Sequence, residues 1–162
     1  MKNNQKQIDF QEIVDRNFTI SLFNQLFDKV EYTMFPIRAN TDLTITATTK
    51  SNKYQYHIEV KNRYVMIDDF NDCFLEVEKY KHLKNDCKNH IPIYVAIYPA
   101  NSTVCIWNLS KIDITKLQIK KIKMNEVTFN NSIRKIEKDV YLMPIQLSTK
   151  YNYNYAFHKQ TA

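Results

Sequence analysis

The chain has 162 residues, with 23 Lys and Arg against 17 Asp and Glu, and a formal net charge of +6. A chain of this length predicts one domain with an ordinary hydrophobic core, and a modest basic excess favours polyanionic partners. The sequence contains no glycine, which excludes the glycine-rich phosphate-binding loops of nucleotide-dependent enzymes.

The apolar segments and the cysteines predict a cytoplasmic protein. The beginning, MKNNQKQIDF, is polar and lacks the apolar centre of a signal peptide. No apolar run approaches the roughly 20 residues that span a bilayer, so we expect no membrane partner. Cys73, Cys87 and Cys105 are widely spaced and include no CxxC pair, so we expect reduced thiols.

The N-terminal part of the chain predicts a helix. Apolar residues from Phe10 to Leu26 recur at helical spacing, and Asp9 is suited to the N-cap position. We therefore expect a helix over residues 9 to 29.

Three strands are predicted to follow this helix. Residues 30 to 37 have a strand composition, and residues 42 to 48 alternate polar and apolar side chains as a half-buried strand does. A polar turn at residues 50 to 53 leads into a third strand at 54 to 61. The second and third strands should therefore form a hairpin.

The second half of the chain predicts another helix and further strands. Apolar residues between 69 and 84 follow one helical face. Residues 92 to 98 are almost all apolar, as in a central strand buried on both faces. Residues 103 to 109 indicate another strand, and a short strand is expected near residues 140 to 144.

This order of elements describes a mixed central sheet flanked by helices, in a single α/β (α+β) domain. We expect the domain to cover residues 1 to 147. Residues 148 to 162 form a C-terminal tail, for which flexibility and an added edge strand are both open.

A group of charged residues on the predicted hairpin indicates the chemistry. Alternate side chains of a strand share a face, so Glu59 and Lys61 point the same way, together with His57 and Arg63. Asp42 opens the polar face of the preceding strand. Pairing the apolar faces of the two strands brings Asp42 to the same side as Glu59 and Lys61.

Two carboxylates and a lysine at the end of a hairpin suit metal-assisted hydrolysis of a phosphodiester. Mg²⁺ prefers carboxylate oxygens and keeps several waters, so Asp42, Glu59 and the backbone carbonyl of Val60 make a suitable site, in which Mn²⁺ can substitute. Lys61 can stabilise the charge of the transition state. The alternative is that Glu59-x-Lys61 only forms a solvated strand face.

At this point the chain resembles the PD-(D/E)XK nuclease superfamily, in its restriction-endonuclease-like and phage-type branches. The resemblance rests on D-L-T-I at residues 42 to 45 and I-E-V-K at residues 58 to 61, between the first helix and the helix that ends near Tyr80. It extends more loosely to residues 107 to 109. It implies a restriction-endonuclease-like mixed central sheet and Mg²⁺-dependent hydrolysis of DNA.

The resemblance implies roles for individual residues. Asp42 and Glu59 would be metal ligands, and Lys61 would be the catalytic lysine. Some members have an acidic residue on the first helix that reaches the site, and Glu12 is the candidate here. The proline that often precedes the first acid is replaced by Thr41.

The same resemblance extends to DNA contacts. Some members carry Gln-x-x-x-Tyr on the following helix, where this chain has Glu76 and Tyr80, so only the tyrosine matches. His57, Arg63, Lys79 and Tyr80 are the candidate nucleic-acid-binding residues.

The sequence thus predicts a Mg²⁺-dependent deoxyribonuclease that uses a metal-activated water, with DNA as its partner. The alternative is a catalytically inactive module of the same fold that binds nucleic acid or a protein partner. A third reading is an unrelated fold in which Glu59-x-Lys61 is coincidental. A homodimer and a partner protein that supplies specificity are both open.

Overall fold

The chain begins with the helix α1 (Lys2–Leu26), which lies on one face of a six-stranded sheet. The structure is a computed structural model that describes residues 2–37, 39–85, 89–125 and 135–153. Its second helix is α2 (Val77–Asn85). In chain order, the strands are β1 (Lys29–Met34), β2 (Leu43–Thr48), β3 (Lys53–Asn62), β4 (Asp72–Glu76), β5 (Ile91–Tyr98), β6 (Thr103–Asn108), β7 (Ile119–Asn125), β8 (Lys135–Pro144) and β9 (Thr149–Asn152).

The strands form two sheets. The larger has the order β1-β2-β3-β5-β6-β9, in which β3 and β5 are parallel and the other neighbours are antiparallel. The smaller has the order β4-β8-β7 and is antiparallel. It packs with α2 on the face of the large sheet opposite α1. The predicted mixed α/β architecture in one domain is therefore confirmed.

The central strand β5 supplies both hydrophobic cores, because its successive side chains point to opposite faces. Ile93 and Val95 pack towards α1, whereas Tyr94 and Ala96 pack towards the small sheet. This explains the nearly continuous apolar sequence of the strand, which is buried on both sides.

The β2–β3 hairpin, which positions the candidate site, has the predicted strands and turn. Its register pairs Leu43 with Ile58. In the turn, the Thr49 amide donates to the Asn52 carbonyl at 2.8 Å, and the Asn52 amide donates to the Thr49 hydroxyl at 3.1 Å. The local side-chain hydrogen bond helps a turn without glycine to close.

The prediction of one helix from Asp69 to Lys84 is wrong in its first half. Residues 72–76 form β4, and α2 begins at Val77. Cys73 and Leu75 are buried, and their neighbours are only half-buried, which is strand periodicity. The strand exists because β8, distant in sequence, pairs with it.

The first helix differs from its prediction at both ends. It begins at Lys2 and ends at Leu26, so Asp9 lies inside the helix and not at its N-cap. Phe10 and Leu26, predicted to lie on the apolar stripe, are 55% and 40% exposed. The stripe is buried from Val14 to Leu22, because only the middle of the helix covers the sheet.

The C-terminal part of the chain adds strands to both sheets. Within the residues expected to form the tail, Thr149–Asn152 pairs with β6 as an edge strand, and residues 154–162 lie outside the described ranges. Neither described helix combines the length and the apolar character needed to cross a membrane.

Trp107 links the two sheets. Its side chain is fully buried, and its indole N–H donates to the Pro144 carbonyl at 2.9 Å.

We expect Trp107→Phe to lower the free energy of unfolding by about 1–3 kcal/mol, because the Pro144 carbonyl loses its hydrogen-bond donor and a void opens. Urea denaturation measures this change. The exposed Tyr32→Phe is the control, and an equal loss in both variants would contradict the assignment.

Candidate active site

The carboxylate of Glu59 lies at the centre of the candidate site. Glu59 is on β3 and has no exposed surface. Its Oε1 lies 3.0 Å from Lys61 Nζ and 3.3 Å from Lys79 Nζ. Lys61 is on the same strand, whereas Lys79 reaches the carboxylate from the first turn of α2. The site thus joins the large sheet to the helix that follows it.

Electrostatics in this group are dominated by burial. Burial raises the pKa of Glu59. The ammonium groups of Lys61 and Lys79 oppose this effect, and the neighbouring Asp42 carboxylate adds to it. Burial lowers the pKa of Lys61, but the carboxylates of Glu59 and Asp42 outweigh it, so the pKa lies above its ordinary value. Lys61 therefore stays a cation throughout the physiological range.

Asp42 lies at the start of β2 and is held by both the helix and the hairpin. Its Oδ1 accepts from Arg16 of α1 at 2.6 Å, and its Oδ2 accepts from the Val60 amide at 2.7 Å. Asp42 and Arg16 are both buried. Because the Asp42 carboxylate binds the amide of Val60, which lies between Glu59 and Lys61 on β3, the structure brings the three residues predicted for catalysis together.

Glu12 lies near this group but further from its centre. Its Oε2 is 3.9 Å from the Arg16 guanidinium, one turn along α1, and its charge also contributes to raising the pKa of Lys61. The helix thus does bring an acidic residue towards the site.

A cleft opens beside the three residues. It has a volume of about 570 Å³ and lies between the N-terminal half of α1 and the end of β3. Asp42, Val60 and Lys61 line it, whereas Glu59 lies behind them and does not. The Lys61 side chain, 35% exposed, is the polar link between the buried carboxylate and the cleft.

His57 and Arg63, predicted to bind nucleic acid, form hydrogen bonds within the protein. His57 is buried, and its Nε2 lies 2.6 Å from the Thr41 hydroxyl. The Arg63 guanidinium donates to the Phe74 carbonyl at 2.7 Å and also contacts the Tyr94 hydroxyl. His57 is thus buried on β3, and Arg63, which follows β3, is half-buried; DNA contacts by these two residues stay a prediction.

Lys79 and Tyr80, the other two candidates for DNA contact, lie on α2 at different distances from the site. Lys79 contacts both oxygens of Glu59, so it belongs to the buried charge group. Tyr80 packs edge-on against Tyr141 of β8 at a ring distance of 5.4 Å. Its ring therefore joins α2 to the small sheet.

The side chains present suit a metal ion that takes few protein ligands. Among the described residues there is no group of three or more His, Cys, Asp or Glu side chains arranged to hold a metal. Mg²⁺ is commonly held by one or two carboxylates, with water and substrate phosphate completing its shell. Asp42, Glu59 and the Val60 carbonyl match that requirement in number and type.

The charge of Glu59 is already compensated within the protein. Its buried Oε1 lies 3.0 Å from Lys61 Nζ and 3.3 Å from Lys79 Nζ. A divalent cation at this oxygen would therefore share it with two ammonium groups.

The chain matches no protein-family model, no curated protein and no solved structure. The chemistry of the site therefore has to be argued from its own geometry.

Sequence reasoning missed Arg16 and did not assign Lys79 to the charge group. The position of Arg16 on the helix is a signal of its role, because it lies one turn before Ile20, which is buried. Asp15 likewise lies one turn before the buried Thr19. Charged residues in register with buried positions indicate an interior partner. Lys79 carries no comparable signal, because its role depends on where α2 docks.

The Arg16–Asp42 pair generates a stability prediction. We expect Arg16→Met to lower the free energy of unfolding by about 3–5 kcal/mol, because it leaves a buried carboxylate without its cation. The double variant Arg16→Met/Asp42→Asn should recover much of this loss, since it removes both charges and keeps the hydrogen bond from Val60. Urea denaturation measures both variants.

Lys29→Met is the matched control, because Lys29 pairs with Glu31 on the exposed surface of β1. It should leave the free energy of unfolding unchanged. A double variant that is as unstable as the sum of its single changes would show that Arg16 and Asp42 are not coupled.

Proposed function

We propose that this protein is a metal-dependent DNA nuclease of the PD-(D/E)XK type, with Asp42, Glu59 and Lys61 as its active site. The observation that carries the proposal is the buried Glu59 carboxylate, paired with Lys61 and near Asp42, directly behind the residues that line a cleft. Placing two carboxylates and a lysine so close is costly for the fold, and such groups concentrate at functional sites.

The fold supports the same proposal. The order α1-β1-β2-β3-β4-α2-β5 gives a mixed sheet in which β3 and β5 are parallel, and β4 with α2 forms the connection between them. The mixed central sheet agrees with the restriction-endonuclease-like resemblance, whereas β4 and the small sheet that covers one face are additions to the order of elements on which that resemblance rests. The candidate residues lie on the two strands of its hairpin, which is a rigid element well suited to hold reacting groups.

Each residue then has a role in hydrolysis. Asp42, Glu59 and the Val60 carbonyl would hold Mg²⁺, and Mn²⁺ could replace it. The metal would lower the pKa of a bound water, whose proton passes to solvent, and would offset charge on the scissile phosphate. Lys61 would orient the attacking water and stabilise negative charge as the water oxygen bonds to phosphorus and the P–O bond of the leaving group breaks.

Arg16 and Lys79 hold the two carboxylates in place. Arg16 fixes the orientation of Asp42, and Lys79 balances charge near Glu59. They are positioning residues, because the guanidinium of Arg16 is engaged by Asp42 and the Phe35 carbonyl and Lys79 does not line the cleft.

The ion pairs also favour a second candidate function. Each carboxylate already has a cationic partner in the protein, and Glu12 lies 3.9 Å from Arg16 without completing a three-acid group. A chain in which both site carboxylates already pair with cationic side chains can be a catalytically inactive module of the same fold that binds nucleic acid or a protein partner.

A cleavage assay separates the two functions. Circular and linear DNA are incubated with Mg²⁺, Mn²⁺ or EDTA, and with wild type, Glu59→Gln or Lys61→Met. We expect cleavage that needs a divalent cation and falls about 100- to 1,000-fold in each variant, as for removal of a group that stabilises the transition state.

The matched controls are Glu78→Gln and Lys81→Met, which remove an exposed ion pair on α2. Both should cleave like wild type. Cleavage that survives Glu59→Gln and Lys61→Met would rule out this site. Retained DNA binding without cleavage by wild type would favour the inactive module.

A further inference from the structure

The cleft beside Lys61 has a chemically mixed lining. Asp42 and Lys61, assigned to the reaction, are charged. Gln7, Ile8 and Tyr64 also line the cleft and carry no charge. A ligand that fills the cleft would therefore need a charged group beside Lys61 and a flat, largely apolar group beside Tyr64. A nucleotide has both, as its phosphate and its base.

Tyr64 is suited to stacking against a base. It follows β3 and is 75% exposed, which is unusual for a large aromatic side chain. Tyr64 lines the same cleft as Gln7, Ile8 and Gln11 of α1, so its ring is accessible to a ligand held there. Exposed aromatic rings beside a strand-binding groove serve as platforms on which bases stack.

Polar groups in the wall are suited to the edge of a base. The Asp15 Oδ1 accepts from the side-chain amides of Gln11 at 2.8 Å and Asn62 at 3.0 Å, which fixes the orientation of both amides. Gln11, Asp15 and Asn62 all line the cleft, so it offers polar side chains to the edge of a base.

The size of the cleft limits what enters it. Its volume of about 570 Å³ is that of a site for one small molecule. A stacked duplex cannot enter such a space, so a base must be unpaired or extruded before it fits. An unpaired strand avoids the free-energy cost of unpairing and unstacking the base.

The charge of the cleft makes strand binding depend on a cation. Glu12, Asp15 and Asp42 line it against Arg16 and Lys61, which leaves one formal negative charge in excess. This net negative charge would repel a phosphodiester unless a divalent cation bound in the cleft and made its net charge positive.

We propose that this cleft binds one nucleotide of an unpaired nucleic-acid strand, with its phosphate beside Lys61 and its base against Tyr64. The inference rests on the proposed function, because it places the substrate at that active site. It names the substrate class: single-stranded DNA, or the unpaired part of a junction, in preference to intact duplex.

Binding is measured separately from cleavage. Fluorescence anisotropy follows a labelled single-stranded oligonucleotide and the same sequence as a duplex, in Ca²⁺ and in EDTA. Wild type should bind the single strand more tightly than the duplex, and only in Ca²⁺. Tyr64→Ala should weaken binding of the single strand about 5- to 150-fold, the range for loss of one stacked base, and leave duplex binding unchanged.

Two further variants separate stacking from other causes. Tyr64→Phe keeps the ring and should bind like wild type. Tyr32→Ala removes another exposed tyrosine, on β1 outside the cleft, and should have no effect. Duplex binding as tight as single-strand binding, or an equal loss on both substrates in Tyr64→Ala, would overturn the proposal. So would unchanged single-strand binding in Tyr64→Ala.

The cleavage assay keeps the two proposals distinguishable. Loss of single-strand binding in Tyr64→Ala, in a protein that never cleaves, would support the cleft as a binding site and reject the nuclease. Cleavage that depends on Glu59 but is unaffected by Tyr64→Ala on single strands would support the nuclease and overturn the cleft proposal.

Discussion

The fully buried carboxylate of Glu59 is the constraint around which the site is built. A carboxylate removed from water cannot stay ionised without cations, and its pKa is raised by that burial. Lys61 and Lys79 supply the cations from two different elements. The charge group therefore requires β3, its parallel neighbour β5 and the crossover helix α2 to be assembled together.

The helix α1 has a different function in each half. From Phe18 to Phe23 it packs on the large sheet and contributes to the first core. From Gln7 to Arg16 it extends past that core, lines the cleft and brings Arg16 to Asp42. Exposed residues such as Phe10 lie in this extension, where the sheet no longer covers the helix. The same helix thus stabilises the fold and shapes the candidate site.

The errors in the sequence prediction have a common origin. Cys73, Phe74 and Val77 satisfy a helical period as well as they fit a strand followed by a helix, so local pattern does not distinguish the two. Pairing with β8, more than sixty positions along the chain, decides the matter for β4. Likewise, no element was predicted over residues 119 to 125, which form β7 because β8 supplies their hydrogen-bonding partner.

The sequence by itself determined the hairpin, the central strand and the shared side of Asp42, Glu59 and Lys61. Strand periodicity is local, so alternation along two neighbouring strands is enough to predict a common face. Only the tertiary structure decided the partners of those charges and the shape of the cleft. Which cation reaches a buried carboxylate depends on how distant elements dock, and no local pattern encodes that docking.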